Sequence, residues 1–251
     1  MTSTIPPPTE SAAQLAKQLA ALRDPGLEVR WIGARLRDLG AAQAADILSV
    51  VLARAEQREE PYSQLLLRAS VALAAPEAEG LRRAIGSVAA VRKQGFLASM
   101  FGADQDAEEP TRTPPVPDFG AGRPLTLGER KSLARKRDRE LLARVIRDPH
   151  PDVIRILLDN PALTEEDVVR LSARRPIPGS ILTEIFRHPR WVIRPRVRLC
   201  LTLNPHTAPG LALQLIPHLN RAERRQVAGA LELPEEIRTA CAQRPSDEQL
   251  H

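Results

Sequence analysis

Apolar residues recur every three or four positions along most of this chain, and no stretch alternates apolar with polar over the length of a strand. In "SAAQLAKQLAALRD", Leu15, Leu19 and Leu22 fall at i, i+4, i+7. In "LEVRWIGARLRDLG", Leu27, Trp31, Ala34 and Leu39 keep a similar frame, which stops at Gly40, a natural helix C-cap. "AAQAADILSVVLARAEQ" follows. "PYSQLLLRASVALAA" opens on Pro61, tolerated in a first helical turn. "PEAEGLRRAIGSVAAVRKQGFLASM" reads as a last, more exposed helix. Its cations Arg82, Arg83, Arg92 and Lys93 leave three placements open: packed on the preceding helices, on a membrane surface or in a partner's groove. The pattern predicts a helical bundle over residues 10–101, preceded by a disordered Pro/Thr-rich start at 1–9.

Residues 102–124 are rich in Pro, Gly and acids and lack periodicity. They predict a flexible linker, with an ordered crossing strap as the other reading. From 125 to 245 the pattern resumes as short helices. Thr126 with Glu129, and Thr164 with Asp167, have capping spacing. Asp-Pro, His-Pro, Asn-Pro and Arg-Pro steps separate the segments, because a residue before proline disfavours the α region.

Two of these blocks echo each other: "RDPHPDVIRILLDNPALTEEDVVRL" (147–171) and "RHPRWVIRPRVRLCLTLNPHTAPGLALQL" (187–215). Each contains X-Pro, then Val-Ile-Arg, an apolar segment, Asn-Pro and a second amphipathic segment. A period near 40 residues built from helix pairs indicates an α-solenoid. The chain here resembles the leucine-rich-repeat-variant and HEAT-like helical repeat families. Asp148, Pro149, Val153, Arg155, Asn160, Pro161, Leu163, Val168 and Leu171 carry the likeness. It covers 140–245, with a faint echo at 20–40. The spacing departs from the variant repeats, which are usually shorter. The resemblance implies a curved scaffold that binds another macromolecule on one face. Some HEAT-like proteins are DNA-repair glycosylases, so a catalytic relative is also implied.

Composition fits this picture. Hydrophobic residues make up 43% of the 251 but aromatics only 3%, so the core is aliphatic, suited to helix-on-helix packing. Two cysteines, Cys200 and Cys241, suit a reducing cytoplasm better than a disulfide framework. No apolar run reaches the ~20 residues needed to span a bilayer, and the N-terminus lacks the plan of a secretory signal. The net charge is +5 and unevenly placed. From residue 122 onward, Lys and Arg number 23 against 16 acids, while the whole chain has 36 against 31. A basic second half favours anionic partners.

The stretch "RHPRWVIRPRVRLCLTLNPHT" holds five arginines in twelve residues: Arg187, Arg190, Arg194, Arg196 and Arg198. A helix starting near Arg190 would align Arg190, Arg194 and Arg198 at i, i+4, i+8, with Trp191 beside them. That stripe has three readings: a solvated face paired with Glu184, Asp159 or Glu166; a dock for an acidic protein; or a reader of nucleic-acid phosphates, with Trp191 stacking on a base. A second basic stretch, "ERKSLARKRDRELLAR", mixes signs as exposed salt-bridged helices do. The five histidines show no metal-ligand spacing, and phosphate-loop and nucleophile-elbow motifs are lacking, so no cofactor or metal is expected. For a glycosylase, Asp148 or Asp152 with Trp191 is the available set. The expectation is therefore an all-α cytoplasmic protein, a HEAT-like α-solenoid domain preceded by a helical bundle. It acts as a non-catalytic adaptor that binds an acidic partner protein through Arg187, Arg190, Trp191, Arg194 and Arg198. The alternative is a nucleic-acid-binding HEAT-like protein, with a DNA-repair glycosylase as one form of it.

Overall fold

The computed structural model of the protein describes residues 7–103, 114–120 and 122–243, and its regular elements are all helices. The all-α expectation holds. The disordered start expected at 1–9 lies outside the described residues up to residue 6, and a helix begins at Pro8. The chain divides into two compact units, Met1–Gln105 with Pro209–His251, and Asp106–Ala208.

The first unit opens with α1 (Pro8–Ala20), α2 (Pro25–Glu56), α3 (Glu60–Leu73), a 3₁₀ turn (Pro76–Ala78), α4 (Glu79–Val91) and α5 (Gly95–Gly102). Asp24 caps α2, its carboxylate accepting the Leu27 N–H at 2.6 Å with Pro25 in the first turn. Gly40 sits at φ 71°, ψ 168° and splits α2 into two helical stretches, as its C-cap reading predicts. Leu19, Ile32, Leu36, Leu48, Leu65 and Leu66 fill an aliphatic core. Within it Arg68 and Glu28 form a buried ion pair at 2.6 Å, and Gln64 donates to the same carboxylate.

The single exposed helix expected over 76–100 is two helices, broken where Lys93 takes φ 58°. Here α4 and α5 cross so closely that a Cβ on Gly86 would lie 2.6 Å from the Gly102 nitrogen. The Arg82 guanidinium is buried and donates to the Phe101 and Ala103 carbonyls at 3.1 and 3.3 Å, satisfying the end of α5. Of the three placements open for this segment, packing on the bundle is the one the fold adopts.

The expected 125–245 domain is divided. Helix α12 (Pro209–Leu215), the 3₁₀ turn Ile216–His218, α13 (Arg221–Ala228) and α14 (Glu235–Ala242) belong to the first unit. α12 packs on α5, where Gln214 donates to the Met100 carbonyl at 3.0 Å, and Arg58 donates to the Leu219 carbonyl at 2.9 Å. The physical reason lies in α12 itself. Leu211, Leu213 and Leu215 are fully buried, and a helix buried on all its faces needs cover all round.

The second unit holds α6 (Leu127–Leu133), α7 (Arg139–Val145), α8 (Pro151–Leu158), α9 (Glu165–Ala173), α10 (Gly179–Arg187) and α11 (Pro195–Leu203). These form two copies of a three-helix motif rather than helix pairs: α6 packs on α7 and α8, α9 packs on α10 and α11, and α8 meets α10 between the copies. Thr126 and Thr164 start the copies with full capping boxes. Asn160 closes the first copy and Asn204 the second. Each side chain donates to two carbonyls near the end of its copy's first helix, Ala134 and Lys136 for Asn160, Ser172 and Arg174 for Asn204. The Asn-Pro match is thus a structural equivalence. The Val-Ile-Arg match is not: Val153–Arg155 lies inside α8, whereas Val192–Arg194 precedes α11. The equivalent of Pro151 is Pro195, since both occupy the first turn after the cap.

Of the expected linker 102–124, residues 104–113 and 121 lie outside the described part. Gly102 ends α5. Residues 114–120 run without helix and are partly covered, which favours the strap reading for that piece.

Candidate functional site

The arginine stretch does not form the stripe expected of it. Residues 188–194 are turns and α11 starts at Pro195, so Arg190, Arg194 and Arg198 share no helix. Proline at 195 and the extended backbone of Arg194 fix that start. Trp191 is buried, and its indole N–H donates to the Leu158 carbonyl at 2.8 Å. It ties the second copy to the end of α8 and presents no free ring to a base or a partner. Arg190 lies over that ring, 4.3 Å from the centroid. Arg198 donates to the Ile193 carbonyl at 2.7 Å and helps hold the turn. Arg187 pairs with Glu184 at 3.6 Å, Arg194 with Glu165 at 3.7 Å and Arg196 with Glu166 at 2.9 Å. The solvated, paired reading describes these arginines best. Of the acids nominated for them, Glu184 and Glu166 serve, while Asp159 takes His188 instead, at 3.1 Å.

The second basic stretch is also largely consumed by structure. Arg130 reaches both carboxylate oxygens of fully buried Asp148 at 2.6 and 2.7 Å, and Asp148 also accepts the His150 N–H. Lys131 holds Asp152 at 2.6 Å and Arg139 holds Asp167 at 2.7 Å. Asp148, Asp152 and Trp191 therefore line no common cleft: one carboxylate is sealed in an ion pair, the other neutralised, and the indole is core. Among the described residues no group of three His, Cys, Asp or Glu side chains is placed to hold a metal, and no helix is long and apolar enough to cross a membrane.

A further set of arginines gathers elsewhere in the second unit. A groove of about 830 Å³ runs between the strap Pro114–Asp118 and the C-terminal ends of α7 and α9. Arg144, in the last turn of α7, and Arg147, just beyond it, form part of its wall, and Arg174, Arg175 and Pro176 follow the end of α9. Part of this charge answers the exposed carbonyls of helix ends. Arg174 Nη1 donates to the Ile146 carbonyl at 3.3 Å, and Arg175 donates to the Leu203 carbonyl at 2.5 Å. Arg144 and Arg147 are exposed and, among the described residues, make no ion pair. Arg174 Nη2 is buried and hydrogen-bonds to nothing. Burial, and then the nearby Arg147 guanidinium, lower the Arg174 pKa from its ordinary value. Among the described residues Asp118 is the one acid on this wall, and its carboxylate already accepts the Gly120 N–H at 2.8 Å.

The groove thus pairs an arginine floor with a proline-rich wall. Chemically it can bind an anion on an extended chain. Sequence reasoning passed over these arginines. Arg144 and Arg147 lie some thirty residues before Arg174 and Arg175, and only the three-helix repeat brings the ends of α7 and α9 to one place. Comparison with protein-family models, with curated proteins and with solved structures returns no match.

Proposed function

We propose that this protein is a non-catalytic adaptor of the cytoplasm whose second unit holds an acidic, extended segment of a partner protein in the arginine groove. The observation that carries the reading is the gathering of Arg144, Arg147 and Arg174 beside Pro114–Asp118, where, among the described residues, no acid side chain pairs with Arg144 or Arg147. Guanidinium forks suit carboxylates, and a proline-lined wall suits a chain without helix of its own. The matched bonds of Asn160 and Asn204 support reading the two copies as units of a helical repeat, an architecture suited to scaffolding. The arginines of residues 187–198 are not the contact surface in this reading, because ion pairs and backbone carbonyls occupy most of them.

The test is fluorescence anisotropy with two labelled probes of equal charge, a glutamate-rich peptide containing proline and a single-stranded oligonucleotide. The peptide is expected to bind the full chain and to lose binding in Arg144→Gln/Arg147→Gln while keeping it in Arg194→Gln/Arg196→Gln. Binding of the oligonucleotide alone, with a steep dependence on salt, would transfer the function to nucleic acid.

A further inference from the structure

The groove's charge is larger than a carboxylate needs, and that excess narrows the ligand. Among the described residues Arg144 and Arg147 make no ion pair, half-buried Arg174 adds a guanidinium with an unbonded Nη2, and Asp118 is the one acid lining the groove. Buried Asp148 lies close enough to act on Arg174, but both its oxygens are taken by Arg130. Like charges so placed repel one another, and a single carboxylate leaves most of that repulsion in place. A phosphate monoester brings close to two negative charges and three acceptor oxygens, enough for one oxygen per guanidinium. Arginine's planar fork suits this geometry, where lysine would offer only a point charge.

Resting on the adaptor reading, the geometry points to a phosphorylated side chain on the partner segment, its phosphate seated among Arg144, Arg147 and Arg174 and the flanking chain lying along Pro114–Pro117. Phosphorylation of the partner then switches the interaction on.

The test uses three labelled peptides of one proline-containing sequence, carrying phosphoserine, glutamate or serine at the central position. They are titrated into the full chain at pH 7.5 and pH 5. The phosphoserine peptide is expected to bind about tenfold or more tightly than the glutamate peptide at pH 7.5. That preference shrinks at pH 5, below the second phosphate pKa of about 6, where a glutamate contact persists. It also disappears in Arg144→Gln and in Arg147→Gln, both exposed positions, with unchanged circular dichroism as the check on folding. Equal affinity for phosphoserine and glutamate overturns the phosphate proposal and leaves the acidic-segment reading standing. Failure of all three peptides to bind overturns both. A phosphoserine preference that survives both arginine variants places the phosphate elsewhere and overturns this site.

Discussion

Asn160 and Asn204 lie 44 residues apart and make the same three bonds. Each amide donates to two carbonyls near the end of its copy's first helix, at 2.8–3.1 Å, and each amide oxygen accepts the backbone N–H two residues on. Both are buried. Asn160→Ala and Asn204→Ala are therefore expected to destabilise the second unit by similar amounts, about 2–4 kcal/mol, since each strands buried carbonyls. Urea unfolding in a Trp31→Phe background makes Trp191 the reporter of that unit. A cost below about 0.5 kcal/mol at either position would show that water replaces the amide without penalty.

Glu28 and Arg68 are only 5% and 4% exposed in their side chains, so removing one partner leaves the other charged and buried without this counter-ion. Glu28→Ala is expected to cost about 3–5 kcal/mol, and Glu28→Leu/Arg68→Met distinctly less than the two single changes together. Chemical denaturation of the four proteins closes the cycle, and additivity would refute the coupling.

Gly86 faces the Gly102 backbone where α4 crosses α5. Because a backbone cannot swing aside as a side chain does, Gly86→Ala is expected to lower stability by about 1–3 kcal/mol despite alanine's better helix propensity. Gly80→Ala, where an added Cβ meets nothing within 4 Å, should be neutral or stabilising. Thermal melts of the two variants give the comparison, and equal behaviour would contradict the close approach.

Asp167 has its pKa lowered to about 2. Burial raises it, but hydrogen bonds from Arg139 and Thr164 outweigh burial. The folded value is below the unfolded one, so the carboxylate's contribution is fully present above about pH 4 and is lost as pH falls through about 2. Asp167→Asn is expected to flatten the acid limb of the stability curve between those values and to leave its slope near neutrality unchanged. Urea midpoints from pH 2 to pH 7 decide it.

Much of this fold is legible in local signals. Thr126 with Glu129 and Thr164 with Asp167 cap the helices their spacing announces, because a cap's partners lie three residues away in the chain. Gly40 ends its helix for the same local reason. The Asn-Pro steps disclose the repeat, but Val-Ile-Arg misleads, because the four residues Arg190–Ile193 lengthen the second copy before α11 and shift the triplet out of register. Trp191 illustrates the opposite case: a tryptophan among arginines reads as a surface contact, and only the Leu158 carbonyl, far away in the chain, reveals it as core. The arginine groove was illegible for that same reason, since its members are separated by an entire helix–turn–helix.

The return of residues 209–243 to the first unit sets an order of assembly. A ribosome releases α1–α5 long before α12 exists, so the Met100 carbonyl waits for Gln214 and the Leu219 carbonyl reaches Arg58 only after the second unit has been made. The second unit, continuous in sequence, is able to complete itself first, while the earlier-made bundle stays unfinished. A chain stopped near residue 208 would carry a whole groove while its first unit stayed incomplete, and quality control would meet it as a half-folded protein.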